Sequence, residues 1–260
     1  EKIDATMPFG VKNFIDKMVS YVPESNDSIE KFFELAKNVH AAQAYTNSVN
    51  GVTDQKVMLS EHANFVKVGS YSVNEVLNAI KMPKKAKDIL NAYWCYLGAH
   101  CDDLSFVHYA SMVYRYITKG ASMPKMRSHE ISLALVERIR ELGGDIWFNT
   151  EAVKIITSKQ DNGVEGVVLN GGREIKTRHV IANCAPHIVY GRMIDKVPEQ
   201  IIRETNARKL AGRGFTLFLG LNKSADELGI ENHNYFLYDT MDTVNKSEIM
   251  KTIKNNIAQA

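Results

Sequence analysis

Along the first 120 positions, apolar residues recur every three or four residues with polar residues between them, which is the spacing of α-helices. The clearest segment is 28–39, whose apolar positions are Ile29, Phe32, Phe33, Leu35 and Ala36. Three further segments follow the same spacing: 72–80, 85–98 and 104–120. Ser72 and Glu75 have the spacing of a capping box, in which each side chain accepts a hydrogen bond from the backbone N–H of the other. This half of the chain is therefore predicted to be mainly helical.

A further amphipathic helix is predicted after Gly120. Ser128 stands at the position of an N-cap, and Glu130 in the first turn suits the positive end of the helix dipole. The apolar positions of this helix share one face and are Ile131, Leu135, Ile139 and Leu142. Gly143 follows, where helices commonly end in a left-handed residue. The pattern predicts one helix from about 128 to 142.

Three segments with strand-like composition follow this helix, at 145–158, 164–169 and 173–182. Each is rich in apolar and β-branched residues, and turn residues separate them. The turns contain Asn162-Gly163 and Asn170-Gly171-Gly172, which supply the positive-φ residues that tight hairpins require. The segments are therefore predicted to form a three-stranded β-meander.

The remainder of the chain continues with mixed patterns. Pro186 stops the third predicted strand, because proline lacks the N–H that a strand would donate. Two more strands are predicted at 214–222 and 233–240, and the segment 246–260 has a helical pattern. Helices, then a helix with a meander, then further strands together indicate an α+β fold, or part of an α/β protein.

Composition and charge argue against several classes of partner. The 260 residues carry 32 basic and 30 acidic side chains, a net charge of +2, which gives no electrostatic footprint for nucleic acid or an anionic membrane. Hydrophobic residues make up 45%, as in ordinary soluble domains, and the apolar runs are too short to span a bilayer. Three cysteines without a CxxC motif favour a reduced, intracellular compartment.

Several motifs with well-defined chemistry are absent from the sequence. Gly212 and Gly214 are followed by Leu217 instead of a third glycine, so they do not form a dinucleotide-binding loop, and no GxxxxGK[ST] loop occurs. The segment 100–108 contains two histidines, a cysteine and two aspartates, but their spacing fits no usual zinc pattern. No GxSxG elbow occurs, and Cys184, at the end of an apolar strand, is expected to be a buried structural cysteine. No metal site and no catalytic side chain is therefore assigned.

Aromatic residues are concentrated in the second part of the helical half. The set consists of Tyr93, Trp94, Tyr96, Phe106, Tyr109, Tyr114 and Tyr116. Such side chains fill helical cores, and they also line pockets for apolar ligands. Their spacing along the chain does not distinguish these two roles, so both stay open at this point.

The chain from about 90 to 186 resembles one family of flavoenzymes. The matching pieces are YWCYLG, LSFVHYA, ISLALVERIRELGGDIWFNTEAVKI and VEGVVLNGGREIKTRHVIANCAP. They are similar to FAD-dependent oxidoreductases such as bacterial phytoene desaturases, carotenoid isomerases and retinol saturases, within the flavin amine-oxidase group. The final piece follows the family pattern V-x-G-V-x-x-x-x-G-x-x-I and then V-I-x-N-x-x-P.

This resemblance implies FAD as the cofactor. It also implies a long apolar substrate, such as a carotenoid, a retinoid or another lipid, that is desaturated, saturated or isomerised. In the family, the phosphate-binding loop and a second flavin-contacting segment lie near the two ends of the protein, and neither is found here. The chain is therefore expected to be an internal fragment that is inactive alone. A cytoplasmic location is expected, with peripheral membrane contact left open as a route for the substrate.

The resemblance places a small number of site residues. In the family, the strand after the paired glycines contacts the adenine ring through its backbone, and the matching cofactor-binding positions here are Ala152 and Val153. Asn183 and Pro186 match a turn that passes near the cofactor. The chain departs from the family at 125–127, where Lys-Met-Arg stands in the neighbourhood of a paired glycine that the family commonly has.

The organisation implied by the resemblance has three parts. Residues 1–120 form a mainly helical part of the substrate domain, and 190–260 return to it with strands and a C-terminal helix. Between them, 121–189 contribute a helix and the meander to an incomplete FAD-binding α/β domain. The alternative function is a non-catalytic module, in which the aromatic helices hold a hydrophobic ligand or a partner helix without redox chemistry.

Overall fold

A computed structural model of the chain describes residues 4–158, 163–208, 216–230 and 235–237. The chain divides into two compact units, one comprising Glu1–Ser122 with Ala211–Ala260 and the other Met123–Leu210. Helices dominate the described residues, and the second unit contains a small antiparallel sheet. The predicted α+β fold class is confirmed.

The described part of the first unit is built from seven α-helices. They are α1 (Val11–Tyr21), α2 (Asn26–Ser48), α3 (Gln55–Ser60), α4 (Ala63–Val68), α5 (Val73–Ala79), α6 (Lys84–Asn91) and α7 (Phe106–Lys119). A 3₁₀ turn at Pro23–Ser25 precedes α2, and another at Ala92–Tyr96 follows α6. Each segment that the apolar spacing predicted to be helical coincides with one or two of these elements.

The core of this unit is aromatic and involves α1, α2 and α7. Phe14 and Phe33 pack edge to face, as do Phe32 and Phe33, with ring centroids 5.3 Å apart in each pair. Phe32 also packs edge to face with Phe106 of α7, at 5.9 Å. Tyr109 of α7 is fully buried, and its hydroxyl donates a hydrogen bond to a backbone carbonyl oxygen of α6. Truncating a buried ring of this kind to alanine typically costs about 3–5 kcal/mol, so this packing holds the helices together.

Local sequence signals set two of the helix ends as predicted. At the start of α5, Ser72 Oγ accepts a hydrogen bond from the Glu75 N–H at 3.3 Å. In return, Glu75 Oε2 accepts one from the Ser72 N–H at 2.7 Å, which completes the capping box. At the end of α7, Gly120 has a φ of +75°, a conformation that glycine adopts without steric cost.

The second unit combines helices with the sheet. Its elements are α8 (His129–Glu141), β1 (Ala152–Thr157), β2 (Val164–Leu169), β3 (Glu174–Lys176), α9 (Pro186–Ile188), which continues as a π-helical turn through Val189–Met193, and α10 (Glu199–Asn206). The strands are antiparallel in the order β1-β2-β3, so β1 and β3 are the edges of this sheet. Ile155, Val189 and Met193 form a small core that joins β1 to the π-helical turn.

α8 ends in a Schellman motif. The Gly143 N–H donates to the Arg140 carbonyl oxygen and the Gly144 N–H to the Ile139 carbonyl oxygen, both at 2.9 Å. Gly143 has a φ of +81°, as predicted, and a Cβ on Gly144 would lie 2.8 Å from Ile139 Cγ2. The start of α8 differs from the prediction, because Ser128 has helical φ and ψ angles and its side chain makes no capping hydrogen bond.

The hairpin between β2 and β3 forms as predicted. Gly171 and Gly172 both have a φ of +84°. The Gly172 N–H donates to the Leu169 carbonyl oxygen at 3.0 Å, which closes the turn. The other predicted hairpin turn includes Asn162, which lies outside the described residues.

Two predicted strands are shorter than their sequence patterns. β1 begins at Ala152 instead of Asp145, and β3 ends at Lys176 instead of near Ala182. Among the described residues, no strand lies beside 145–151 or 177–182. Apolar and β-branched residues favour extended backbone, but a strand also needs a hydrogen-bonded neighbour.

The strands predicted near the end of the chain are not found where they can be tested. The described part of the first of these, 216–222, forms no strand and exposes its apolar side chains. Of the strand predicted at 233–240, residues 235–237 are described and are not in a strand. The helix predicted at 246–260 lies outside the described residues.

Candidate functional site

The structure divides the aromatic residues of the helical half into core and surface. Phe106 and Tyr109 are fully buried and belong to the core. The other members of the set keep exposed surface and are Tyr93, Trp94, Tyr96, Tyr114 and Tyr116. The core role is therefore confirmed for Phe106 and Tyr109, and the pocket-lining role of the others stays a prediction.

Two of these residues, Tyr93 and Tyr96, meet the ring of a third, Tyr116. The Tyr116 ring lies 5.6 Å from the ring of Tyr93 and 5.8 Å from that of Tyr96, measured between centroids. Phe9 packs on the same ring at 5.7 Å. These four residues, called the tyrosine cluster below, combine α7, the 3₁₀ turn after α6 and the segment before α1. Phe9 and Tyr96 are 54% and 43% exposed, so the cluster presents an aromatic surface.

Backbone contacts fix the position of Phe9 in the tyrosine cluster. The Gly10 N–H donates to the Ile117 carbonyl oxygen of α7 at 2.8 Å. Gly10 has a φ of +87°, which allows the chain to turn into α1 directly after Phe9. Sequence reasoning missed Phe9, and also Phe236, which packs against Tyr96 at 5.0 Å. Neither residue lies in a segment with helical spacing, so no periodic signal marks them.

Two phenols of the tyrosine cluster, those of Tyr93 and Tyr96, have a raised pKa. Burial, and secondarily the Tyr116 phenol, raise the pKa of Tyr93 to about 12. Burial likewise raises the pKa of Tyr96 to about 12, with a smaller effect from hydrogen bonding to Tyr116. At neutral pH both phenols are therefore un-ionised.

Ala152 and Val153, the predicted adenine-contacting residues, lie at the exposed start of the edge strand β1. Ala152 pairs with Leu169 and Lys154 pairs with Val168, so the register skips Val153. Val153 is thus the extra residue of a β-bulge, a feature that is common next to functional sites. Their role in cofactor binding stays a prediction.

Asn183 and Pro186, the other predicted cofactor-binding residues, are also exposed. Asn183 lies in an irregular segment after β3, and Pro186 is the first residue of α9. No hydrogen bond joins either residue to Ala152 or Val153 in the described part of the chain. The expectation that Cys184 is buried is wrong: its side chain is exposed, because the strand predicted to bury it ends earlier.

The apolar face of α8 lies at the surface. Its predicted members Ile131, Leu135, Ile139 and Leu142 are all exposed, and no residue of α8 is buried. Ile181, after β3, is 99% exposed. The amphipathic pattern of this helix predicts a buried face, yet nothing in the described residues covers it.

The segment 125–127, where the chain departs from the family pattern, contains a turn in the structure. Arg127 has a φ of +65°, in the left-handed region where glycine is favoured. Its N–H donates to the Pro124 carbonyl oxygen at 2.8 Å, so the backbone makes a turn here without glycine.

Two searches of the described residues gave no candidates. None of their His, Cys, Asp and Glu side chains are grouped in threes or more to hold a metal ion. No helix among them combines the length and apolarity needed to cross a membrane.

Comparison with known proteins gives one informative match. No family model matches the chain. The chain is 21% identical over 241 residues to all-trans-retinol 13,14-reductase of Danio rerio. The match covers 88% of this chain, which spans about 40% of the length of that protein. A distant relative is thus an oxidoreductase. This similarity supports the broad oxidoreductase group that the sequence pieces indicate.

Proposed function

We propose that this chain is part of an FAD-dependent oxidoreductase acting on a long apolar substrate of the retinoid or carotenoid kind. The sequence pieces shared with phytoene desaturases and their relatives support the flavin. The distant similarity to all-trans-retinol 13,14-reductase supports a retinoid-like substrate. When bound, the flavin supplies the hydride chemistry of desaturation or saturation, while the protein orients the substrate and keeps the site dry.

The observation that carries this proposal is that two surfaces of the second unit, the apolar face of α8 and the open edge of β1, are uncovered among the described residues. α8 buries none of its residues, and β1 is an edge strand among the described residues. Soluble domains rarely leave an apolar helix face or an open strand edge uncovered, because both promote association. We infer that further polypeptide of an FAD-binding domain covers both surfaces in a longer protein.

The proposal assigns a role to each part of the chain. Residues 121–189 belong to the FAD-binding domain, and 1–120 with 190–260 belong to the substrate domain. The backbone at Ala152 and Val153 contacts the adenine ring. The β-bulge supports this role, because it leaves Val153 without a cross-strand partner. Asn183 and Pro186 lie near the cofactor in the turn after the meander.

The tyrosine cluster is the proposed contact surface for the substrate. Aromatic rings offer a large, rigid apolar area that suits a conjugated chain. The raised pKa values of Tyr93 and Tyr96 keep these phenols neutral, so they do not add a charge that would disfavour such a ligand. No side chain is assigned as an acid or base, since the flavin carries the redox step.

The test is to express the longer protein and record its visible spectrum. We expect a flavin absorption band at about 450 nm, and bleaching of this band on reduction. The 260-residue chain alone is expected to bind FAD weakly or not at all and to be inactive, because it contains no glycine-rich phosphate loop. A colourless longer protein that does not take up added FAD would contradict the proposed function. Tight FAD binding by the 260-residue chain would contradict the proposal that this chain is only part of the FAD-binding protein.

The exposed aromatic surface also favours the alternative, a non-catalytic module that binds a hydrophobic ligand. The same experiment separates the two functions. A flavin-free longer protein that quenches the fluorescence of all-trans-retinol on binding supports the module. A flavin-loaded protein whose flavin is reoxidised by a polyene substrate supports the enzyme.

A further inference from the structure

A cavity of about 510 Å³ lies in the second unit, apart from the predicted FAD-contacting residues. Tyr190 and Ile194, which pack against the small core of this unit, form one part of its wall. Val197, Pro198 and Ile201, at the start of α10 and before it, form another. This volume lies within the range of about 300–1,000 Å³ that is typical of small-molecule sites. The described wall is mainly apolar, and the cavity is large enough for a small ligand.

Among the described residues that line this cavity, Lys196 carries the one charged side chain. The nearest carboxylates in sequence are already paired with other cations. Asp195 forms an ion pair with Lys154 at 2.5 Å, and Glu199 forms one with Arg203 at 3.5 Å. Among the described residues, no carboxylate lies within ion-pair distance of the Lys196 ammonium. In the part of the chain that the structure describes, the cavity thus combines mainly apolar walls with a lysine that has no carboxylate partner.

We propose that this cavity binds a small amphiphile with a carboxylate head group and an alkyl or polyene chain. Lys196 binds the carboxylate, because its positive ammonium group complements the negative charge of that head group. Ile194, Val197 and Ile201 contact the apolar chain, whose removal from water supplies most of the affinity. This site is independent of the proposed flavin chemistry, because it requires neither FAD nor the residues assigned to it.

The test is calorimetric titration of the 260-residue chain with decanoate and, separately, with decanol. We expect decanoate to bind more tightly, and Lys196→Gln to weaken decanoate about fivefold while leaving decanol unchanged, because only the carboxylate uses the ammonium group. Ile201→Asp is expected to weaken both ligands, since it places a negative charge in the apolar wall. Both positions are at least partly exposed, so the variants are expected to fold, which circular dichroism verifies.

Two control variants separate this cavity from other binding surfaces. Lys176→Gln removes an exposed lysine of β3 and is expected to leave decanoate affinity unchanged. Leu135→Gln alters the exposed face of α8 and is expected to have no effect on either ligand. The proposal is overturned if decanoate does not bind, if Lys196→Gln leaves its preference over decanol intact, or if Leu135→Gln abolishes binding. Lys196-dependent binding to anionic phospholipid vesicles without binding of free decanoate would overturn it in favour of a membrane surface.

Discussion

At the residue scale, the three cysteines offer a direct test of the described environments. Cys184 is exposed, Cys95 is partly buried, and Cys101 is fully buried. Burial, with a smaller contribution from Asp102, raises the pKa of the Cys101 thiol from 9.0 to about 12. Since the thiolate is the reactive form, we expect iodoacetamide to alkylate Cys101 at least about a hundredfold more slowly than Cys184 at pH 8. Peptide mass spectrometry over a time course measures the two rates.

The control for this labelling experiment is the unfolded chain. In concentrated urea all three cysteines are expected to react at similar rates, because burial no longer separates them. As pH rises from 9 towards 12, the contribution of Cys101 to the free energy of unfolding is expected to fall. The reason is that the Cys101 thiol ionises at a lower pH in the unfolded chain than in the folded chain. Equal labelling of Cys101 and Cys184 in the native chain would show that the turn containing Cys101 is not packed as described.

At the element scale, the two serines that precede α5 and α7 differ in one hydrogen bond. Ser72 caps α5 through its side chain, whereas Ser105, at the N-cap of α7, makes no side-chain capping hydrogen bond. We expect Ser72→Ala to lower the free energy of unfolding by about 1 kcal/mol. Ser105→Ala, the matched control in the same unit, is expected to change it by less than about 0.5 kcal/mol. Urea titration followed by far-ultraviolet circular dichroism measures both, and equal effects of the two variants would contradict the capping assignment.

The elements that sequence predicts well are those whose signals are local. The capping box at Ser72, the stop at Gly143 and the hairpin at Gly171-Gly172 depend on residues adjacent in the chain, and all three form. Strand length depends on a neighbouring strand that no local pattern supplies, so β1 and β3 are shorter than predicted. Three members of the tyrosine cluster, Tyr93, Tyr96 and Tyr116, belong to the aromatic set that stands out in the sequence, which leaves their role open. Phe9 joins the cluster through a tertiary contact and carries no local signal.

At the scale of the whole molecule, α8 shows the clearest disagreement between the amphipathic sequence pattern and the exposure of the side chains. Its sequence has the apolar face of a helix that packs against a neighbour, yet Leu135, at the middle of that face, is 59% exposed. In the first unit, by contrast, the apolar faces of the long helices α2 and α7 are buried in the aromatic core. Under the proposed function, α8 gains this neighbour in a longer protein.

This expectation gives a prediction that compares one substitution in two proteins. In the 260-residue chain, Leu135→Gln is expected to change the free energy of unfolding by less than about 0.5 kcal/mol, because the side chain is already largely in water. In the longer protein the same substitution is expected to cost about 2–3 kcal/mol, because it places an amide in a covered apolar contact. Leu90→Ala is the control, since Leu90 is fully buried and the change is expected to cost about 2–5 kcal/mol in both proteins. Urea unfolding of the four variants decides the matter: a Leu135→Gln cost that is the same in both proteins would mean that the α8 face is not a buried contact of the longer one.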